Sequence, residues 1–186
     1  MGMSVEEYRK LISSEFKQKD PLRQLKGRMS HDIGKNFEEE IETICSVYDT
    51  NKLARIEKTP EPMKILKHLD LGRFEACFLK SAQPDFKGTI KGGRTVVFDA
   101  KFTTSNRITY QVLSDFQRET LLKYQDLGAV AFVLVGFTDG GIYKIDINSW
   151  ANMKEKFGRL YMKQEEMDRF RVNKNKSGIS DFLEIM

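Results

Sequence analysis

Apolar residues recur at intervals of three and four in two stretches near the start of the chain, residues 4–18 and residues 35–48. This spacing places them on one face of a helix, so we predict two amphipathic helices. The polar segment 17–32, which contains Pro21, is expected to separate the two helices. The apolar positions of the second helix are Phe37, Ile41, Ile44 and Tyr48.

The rest of the chain mixes strand-like and helix-like patterns, which predicts a mixed α/β core. Residues 60–84 contain Pro60, Pro62 and Gly72, and we expect them to leave the core as an extended excursion. A β-hairpin is expected around Gly92-Gly93. The other predicted elements are strands at 53–56, 129–135 and 142–147 and helices at 110–127 and 149–157.

Composition narrows the class of protein without changing this layout. The chain has 186 residues, 40% of them hydrophobic and 31% charged, which is typical of a soluble globular protein with one substantial core. No apolar run approaches the roughly 20 residues of a spanning helix, and the first residues lack a signal-peptide core. Cys45 and Cys77 have no partner at metal-ligand spacing. We therefore expect a cytoplasmic protein without a membrane segment.

Charge is distributed unevenly along the chain. Residues 36–50 contain four Glu and one Asp but no Lys or Arg, whereas residues 51–107 contain twelve Lys and Arg against six Asp and Glu. An acidic helix beside a basic stretch suits a metal-dependent enzyme that acts on a polyanion. A solvated helix face beside ordinary surface lysines is the simpler explanation, and charge alone favours it.

The predicted hairpin brings two carboxylates together. A two-residue loop would set Phe86 opposite Asp99, which mixes core with charge. A three-residue loop Lys91-Gly92-Gly93 instead pairs Phe86 with Phe98, and it then sets Asp85 opposite Asp99 with Lys101 on the same face. The apolar pattern of the two arms therefore predicts two carboxylates within about 5 Å of each other.

Two facing carboxylates repel each other unless something neutralises them. A divalent cation would do so, because Mg²⁺ accepts oxygen ligands from one or two carboxylates and keeps positions for water and a phosphate. Lys101 would then orient the attacking water or offset charge on the phosphorane. The alternative is that Asp85 merely begins a strand after Pro84 while Asp99 and Lys101 form an exposed ion pair.

These residues resemble a known signature. Pro84-Asp85, a gap of thirteen residues and then Asp99-Ala100-Lys101 are similar to the PD-(D/E)-x-K motif of restriction-endonuclease-like nucleases. With Gly34 to Ile41, Asp85-Phe86-Lys87-Gly88, Phe116-Gln117 and Gly128 to Val133, the chain resembles the RecU family of Holliday junction resolvases from about residue 31 to residue 147. It departs in having Asp99 where the family usually has Glu and Phe116 where it usually has His.

The resemblance implies a fold and an activity. The fold would be a restriction-endonuclease-like mixed β-sheet flanked by helices, with an N-terminal arm at 1–30, a nuclease domain at 31–186 and a stalk insertion at about 60–84. Family members are homodimers that cut four-way DNA junctions with Mg²⁺ or Mn²⁺. The implied protein is a structure-selective endodeoxyribonuclease of DNA recombination and repair in a bacterial or phage-infected cell.

Roles for individual residues follow from the resemblance. Asp85 and Asp99 would bind the metal, Glu38 would add a ligand directly or through water, Lys101 would stabilise the transition state and Gln117 would support the site. Gln117 also stands out physically. It is a polar amide at four-residue steps from Leu113 and Leu121, so it needs a buried or a functional partner. Three consecutive glutamates at 38–40 are equally typical of a solvated face.

Basic residues of the excursion are candidates for contacting DNA. Basic side chains of this segment alternate with Phe74 and Phe78. The basic side chains suit contacts with phosphates, and the aromatic rings suit stacking on unpaired bases. A basic surface loop with core phenylalanines is the alternative. The residues assigned to DNA binding are Lys64, Lys67, Arg73, Lys80, Lys87 and Thr103.

Two other functions compete with junction resolution. One is a related nuclease with the same core chemistry and another DNA target, and the other is a junction-binding protein that does not cleave. The intact Asp85, Asp99 and Lys101 set argues against the second, because a pure binder has no physical need for carboxylates that face a polyanion.

Overall fold

The computed structural model describes residues 21–60, 62–78 and 83–185. The chain divides into two compact units, residues 1–35 and residues 36–186, and every described strand lies in the second unit. The helix predicted at 4–18 lies outside the described residues. No helix in the described part of the chain is long and apolar enough to cross a membrane.

The described elements alternate in the mixed order that the sequence predicts, so the mixed α/β class is confirmed. The α-helices are α1 Pro21–Thr50, α2 Asp115–Asp126, α3 Ile147–Ala151 and α4 Met153–Phe157. The strands are β1 Ala54–Lys58, β2 Met63–His68, β3 Phe74–Phe78, β4 Phe86–Ile90, β5 Thr95–Thr103, β6 Arg107–Thr109, β7 Val130–Phe137, β8 Ile142–Asp146 and β9 Tyr161–Lys163. Short 3-10 helices occupy Tyr110–Val112, Gln164–Glu166 and Asp168–Phe170.

Helix α1 contains the helix predicted at 35–48, and its four apolar positions there are buried. The expectation that segment 17–32 separates two helices is wrong from Pro21 onward, because α1 begins at that residue. Proline fits the first turn of a helix, where its missing N–H would have no intrahelical acceptor in any case. Pro21, the first described residue of α1, is therefore compatible with the helix.

The main sheet has five strands in the order β1-β4-β5-β7-β8. The hairpin β4–β5 has the predicted register, with Phe86 opposite Phe98, and the Ile90 N–H donates to the Arg94 carbonyl at 2.9 Å. Gly92 and Gly93 both have positive φ, 98° and 91°, which side chains with a Cβ rarely adopt. The three-residue loop is confirmed, and with it the pairing that the apolar pattern predicts.

Strand β5 is buried on both faces, which the sequence did not lead us to expect. On one face Phe98 stacks between Phe86 and Phe132, with ring centroids 4.9 and 4.7 Å apart, beneath α1. On the other face Val97 packs in a second core that includes Leu121 of α2. The reason is that β5 pairs with β7 in parallel, and parallel strands normally have helices on both faces.

Two predicted helices are shorter or broken. The helix expected at 110–127 begins as a 3-10 turn, becomes extended at Leu113, and restarts as α2 after the N-cap Ser114. The helix expected at 149–157 divides at Asn152 into α3 and α4. The small antiparallel sheet of β6 and β9 was not predicted at all, because each strand has only three residues.

The excursion at 60–84 forms a two-stranded antiparallel ribbon of β2 and β3 that is separate from the main sheet. All six residues of β2 are exposed, and Phe74 of β3 is 49% exposed. The predicted extended excursion is therefore a ribbon, and Phe74 does not belong to the core.

Gly88 lies where β4 pairs with β1, and the backbone of β1 leaves no room for a side chain there. A Cβ at this position would lie 2.1 Å from the Arg55 carbonyl oxygen and 2.6 Å from the Ile56 Cα, both of them backbone atoms. We expect Gly88→Ala to lower the free energy of unfolding by about 2–3 kcal/mol, because the strands must separate. Urea denaturation measures the change. Gly34→Ala, where a Cβ meets nothing within 4 Å, is the control and should be neutral or slightly stabilising; equal stability of both variants would contradict the packing described.

Candidate active site

The β4–β5 hairpin positions two aspartates and a lysine on one face. Asp85 precedes β4 directly and Asp99 lies in the middle of β5. One Asp85 oxygen, Oδ2, accepts hydrogen bonds from the Ala100 N–H at 2.9 Å and from Lys101 Nζ at 3.3 Å. Lys101 Nζ also lies 3.5 Å from Asp99 Oδ1. The ammonium therefore bridges the two carboxylates, as the predicted register requires.

Gln117 completes the group from helix α2. Its Nε2 donates to Asp99 Oδ1 at 2.9 Å, and its Oε1 accepts from the Ser114 N–H at 3.1 Å. Ser114 returns a contact, because its Oγ accepts from the Gln117 N–H and closes a capping box at the start of α2. The amide that interrupts the apolar stripe of this helix thus has a buried carboxylate as partner, held in place by the helix cap.

Burial dominates the electrostatics of the site. Asp99 has no exposed surface. Burial, together with the Asp85 carboxylate, raises the pKa of Asp99 to about 7 against the opposing attraction of Lys101. Burial also lowers the pKa of Lys101, but Asp99 and Asp85 outweigh it, so the net pKa lies above the ordinary value. The lysine is therefore charged at neutral pH, while Asp99 is only partly ionised in that range.

One oxygen of the site is left unsatisfied. Asp99 Oδ2 is buried and has no hydrogen-bond partner among the described residues. A buried carboxylate oxygen without a donor is costly unless a cation or a proton satisfies it. Asp85 and Asp99 fit Mg²⁺, which binds one or two carboxylates and completes its shell with water. No group of three or more His, Cys, Asp or Glu in the part of the chain that the structure describes forms a fuller cage.

The structure does not bring Glu38 to the two aspartates. Glu38 Oε2 lies 3.0 Å from Lys58 Nζ, which also lies 3.0 Å from Glu42. Lys58 is the register partner of Phe86, so this ion pair lies on the sheet face opposite to Asp85 and Asp99. The two groups are nevertheless neighbours in the backbone, because the Thr59 N–H donates to the Asp85 carbonyl at 2.8 Å.

The residues assigned to DNA binding lie in different surroundings. Lys64, Lys67 and Arg73 are exposed on the β2–β3 ribbon, whereas Lys80 lies outside the described residues. The Thr103 hydroxyl donates to the Arg107 carbonyl at 3.2 Å and accepts from the Ser105 N–H, so it stabilises the turn after β5. The sixth residue, Lys87, is half-buried in strand β4 of the hairpin.

Two contributors to the site were not identified from the sequence. The Ala100 N–H carries no sequence signal, because any residue but proline offers this donor. Ser114 did carry a sequence signal. The spacing Ser114-x-x-Gln117 is that of a capping box, and it marks a helix start with the glutamine in its first turn.

Comparison with known proteins identifies the family. The model of the family "Recombination protein U" (RecU) matches residues 32–186, so the chain belongs to the RecU family. The Holliday junction resolvase RecU of Bacillus subtilis is 28% identical over 73% of this chain and 69% of the relative. The RecU of Leuconostoc mesenteroides is 28% identical over 73% of this chain and 71% of the relative.

A solved structure is also among the proteins similar to this chain. The Holliday junction resolvase Hjc of Archaeoglobus fulgidus covers 80% of this chain and 98% of its own, with a TM-score of 0.48 and 12% sequence identity.

The raised pKa of Asp99 predicts a pH-dependent effect of Asp99→Asn in metal-free protein. Asp99 has a higher pKa in the folded chain than an aspartate has in the unfolded chain, so its protonated form stabilises the folded state. This contribution is present at acidic pH and is lost as the pH rises through about 7. The neutral amide avoids that loss and still offers an oxygen to Gln117. Relative to wild type, the variant should gain about 2–3 kcal/mol between pH 5 and pH 8, measured by thermal unfolding in EDTA. Equal destabilisation at both pH values would show that the Lys101 ion pair, and not burial, controls Asp99.

Proposed function

We propose that this protein is a structure-selective endodeoxyribonuclease that resolves four-way DNA junctions by divalent-metal-dependent phosphodiester hydrolysis, in DNA recombination and repair. Membership of the RecU family and relatives named as Holliday junction resolvases support the substrate. The observation that carries the chemistry is the contact of Lys101 with both Asp85 and Asp99 on one hairpin face. Such a protein would act in the cytoplasm of a bacterial or phage-infected cell.

Asp85 and Asp99 are the proposed metal ligands, with Mg²⁺ or Mn²⁺ as the ion. When bound, the ion supplies Lewis acidity, which lowers the pKa of water and polarises the phosphate. Gln117 orients Asp99 through Oδ1 and leaves Oδ2 for the ion. Lys101 orients the attacking water or offsets the negative charge that develops on the phosphorane, where a fixed ammonium in a buried site is effective.

Glu38 is proposed as a further ligand, either directly or through water. The family resemblance supports this role, and the structure sets a condition on it. Glu38 must leave Lys58, with which it forms a partly exposed ion pair, and then reach past the end of the sheet, where Thr59 and Asp85 are neighbours. Opening such a pair costs little, about 1 kcal/mol or less.

The β2–β3 ribbon is proposed to enter the junction. Lys64, Lys67 and Arg73 are exposed cations that fit phosphates, and Lys80 follows them in the sequence. Phe74, 49% exposed on the same ribbon, offers a surface on which an unpaired base at the junction centre can stack.

A homodimer follows from the chemistry of resolution. Two cuts on strands related by near two-fold symmetry are needed, whereas each chain supplies one set of Asp85, Asp99 and Lys101. Closed two-fold pairing is the commonest way for a soluble chain to present two identical sites in a fixed relation. We therefore propose that one dimer binds one junction.

A comparison of substrates tests the function and its two competitors. A labelled four-way junction, a matched duplex and a single strand are each incubated with Mg²⁺, Mn²⁺ or EDTA. The proposal requires metal-dependent nicks at symmetric positions on opposing strands of the junction alone. Faster cleavage of the duplex or the single strand than of the junction would indicate another DNA target. Tight binding of the junction without cleavage would indicate a pure binding protein.

Lys101→Ala separates catalysis from binding. We expect cleavage to fall by about 100-fold or more, because the charge that develops in the transition state loses a fixed partner. Junction affinity, measured in EDTA, should stay within about threefold of wild type, since many phosphate contacts share the binding energy. The control is Lys91→Ala, which removes an exposed lysine at the hairpin turn. A Lys101→Ala enzyme that retains wild-type turnover would remove this lysine from the mechanism.

The ribbon is tested by changing Lys64, Lys67 and Arg73 to Ala together. If each contacts one phosphate, the slope of log affinity against log salt should become shallower by about 2.7. Changing Lys52, Lys91 and Lys154 to Ala removes the same charge from exposed positions elsewhere and should leave the slope within about 1 of wild type. Equal salt slopes for the ribbon variant and wild type would exclude the ribbon from the DNA interface.

A further inference from the structure

Lys87 shares the hairpin face with the paired aspartates. It is the register partner of Val97, so its side chain lies on the same side of the sheet as Asp99 and Lys101. It follows Asp85 by two residues along the chain. Two residues of a strand span about 6.6 Å, which is therefore the approximate backbone separation of Lys87 from Asp85.

Two neighbours hold the Lys87 side chain. Its Nζ donates to Gln83 Oε1 and lies 5.9 Å from the centroid of the Tyr124 ring. A cation at this distance from an aromatic ring is attracted by the negative face of the ring. Tyr124 belongs to α2 and follows Gln117 by seven residues, two helical turns, so both side chains project from similar sides of the helix. One face of α2 therefore positions Asp99 through Gln117 and Lys87 through Tyr124.

The charge of Lys87 is not neutralised within the described residues. The acidic residue directly opposite on β1 is Glu57. Its carboxylate is bonded to Arg55 at 2.8 Å, and no ion pair of Lys87 occurs in residues 21–60, 62–78 and 83–185. An ammonium that an amide and a ring fix in place, but that no carboxylate pairs, is suited to an anion from outside the protein.

We propose that Lys87, positioned by Tyr124, binds the phosphate next to the scissile phosphate on the same DNA strand. This inference rests on the proposed nuclease function, since it takes Asp85, Asp99 and Lys101 as the place of the scissile phosphate. Successive phosphates of one strand rise about 3.4 Å along the duplex axis and are farther apart in space, because they also rotate around it. A lysine whose backbone lies about 6.6 Å along the strand from Asp85, on the same sheet face, can reach a phosphate next to the one at the aspartates.

The proposal gives Lys87 and Tyr124 different roles. Lys87 contacts DNA at a phosphate that does not react, so its contribution is uniform binding that fixes which bond lies over the two aspartates. Tyr124 is a positioning residue that acts only through Lys87. The simpler alternative is that the lysine stem covers the tyrosine ring as ordinary surface packing, without any role in DNA binding.

Single uncharged methylphosphonates in the cleaved strand test the contact. Each of the two phosphates that flank the cleavage position is neutralised in turn, and affinity is measured in EDTA. The DNA affinity of wild type should fall about three- to tenfold when one of the two phosphates is neutralised. The affinity of Lys87→Ala should fall less than about twofold at the same position, because the lysine charge that would contact this phosphate is already absent. On unmodified DNA, the salt slope of Lys87→Ala should be shallower by about 0.9.

Tyrosine variants test the positioning role. Tyr124→Phe keeps the ring and should bind and cleave as wild type does. Tyr124→Leu removes the ring, and it should weaken DNA affinity by about two- to fivefold and reduce the sensitivity to the same methylphosphonate. Lys123→Ala removes an exposed lysine from the same helix and should behave as wild type at both modified positions. Thermal unfolding identifies any variant that has lost its fold, and if Tyr124→Leu has, Tyr124→Met, which also removes the ring, takes its place in the comparison with Lys87→Ala.

The outcomes distinguish this inference from the proposed function. If wild type cuts DNA but Lys87→Ala remains as sensitive as wild type to both neutralised phosphates, the Lys87 contact is wrong and the nuclease assignment stands. Equal loss of affinity in Tyr124→Phe and Tyr124→Leu would overturn the positioning role of the ring. If wild type neither binds nor cuts any DNA, the proposed function fails and this inference fails with it.

Discussion

The repulsion between two facing carboxylates is the constraint on which the rest of the site depends. Asp85 and Asp99 are opposed because Phe86 must pair with Phe98, and that pairing is held by the stack of Phe86, Phe98 and Phe132 in the core. Large buried aromatic surface fixes the register far more strongly than two like charges can oppose it. The core therefore imposes an electrostatic cost at the hairpin, and the site consists of the groups that offset this cost.

Each neighbour of the aspartates offsets part of that cost. Lys101 bridges both carboxylates, the Ala100 N–H satisfies Asp85, and Gln117 satisfies one oxygen of Asp99. The second Asp99 oxygen has no donor in the described residues. A site that is neutralised except for one buried oxygen favours a proton at acidic pH and a cation at higher pH. The same incomplete compensation explains both the raised pKa of Asp99 and the suitability of the pair for a divalent ion.

The sequence predicts the parts of the site that depend on local rules. Strand alternation and a glycine loop were sufficient for the hairpin register, and helical spacing showed that Gln117 needed a partner. Contacts between distant segments could not be derived in this way. The parallel pairing of β5 with β7 buries the second face of β5, and the Lys58 ion pair takes Glu38 to the other face of the sheet. Neither of these two contacts depends on a sequence pattern within one segment. Strands β6 and β9 have only three residues each and are too short to show an alternating pattern.

Calorimetric titration of the purified protein with Mg²⁺ or Mn²⁺, in the absence of DNA, tests the central claim most directly. If the facing carboxylates are a cation site, each chain binds a divalent ion and is stabilised against heat by it, and Asp85→Asn and Asp99→Asn each lose both effects. The ion should therefore raise the stability of wild type relative to both variants, because only wild type binds it. Equal metal binding by wild type and both variants, or binding by none of them, would contradict the account.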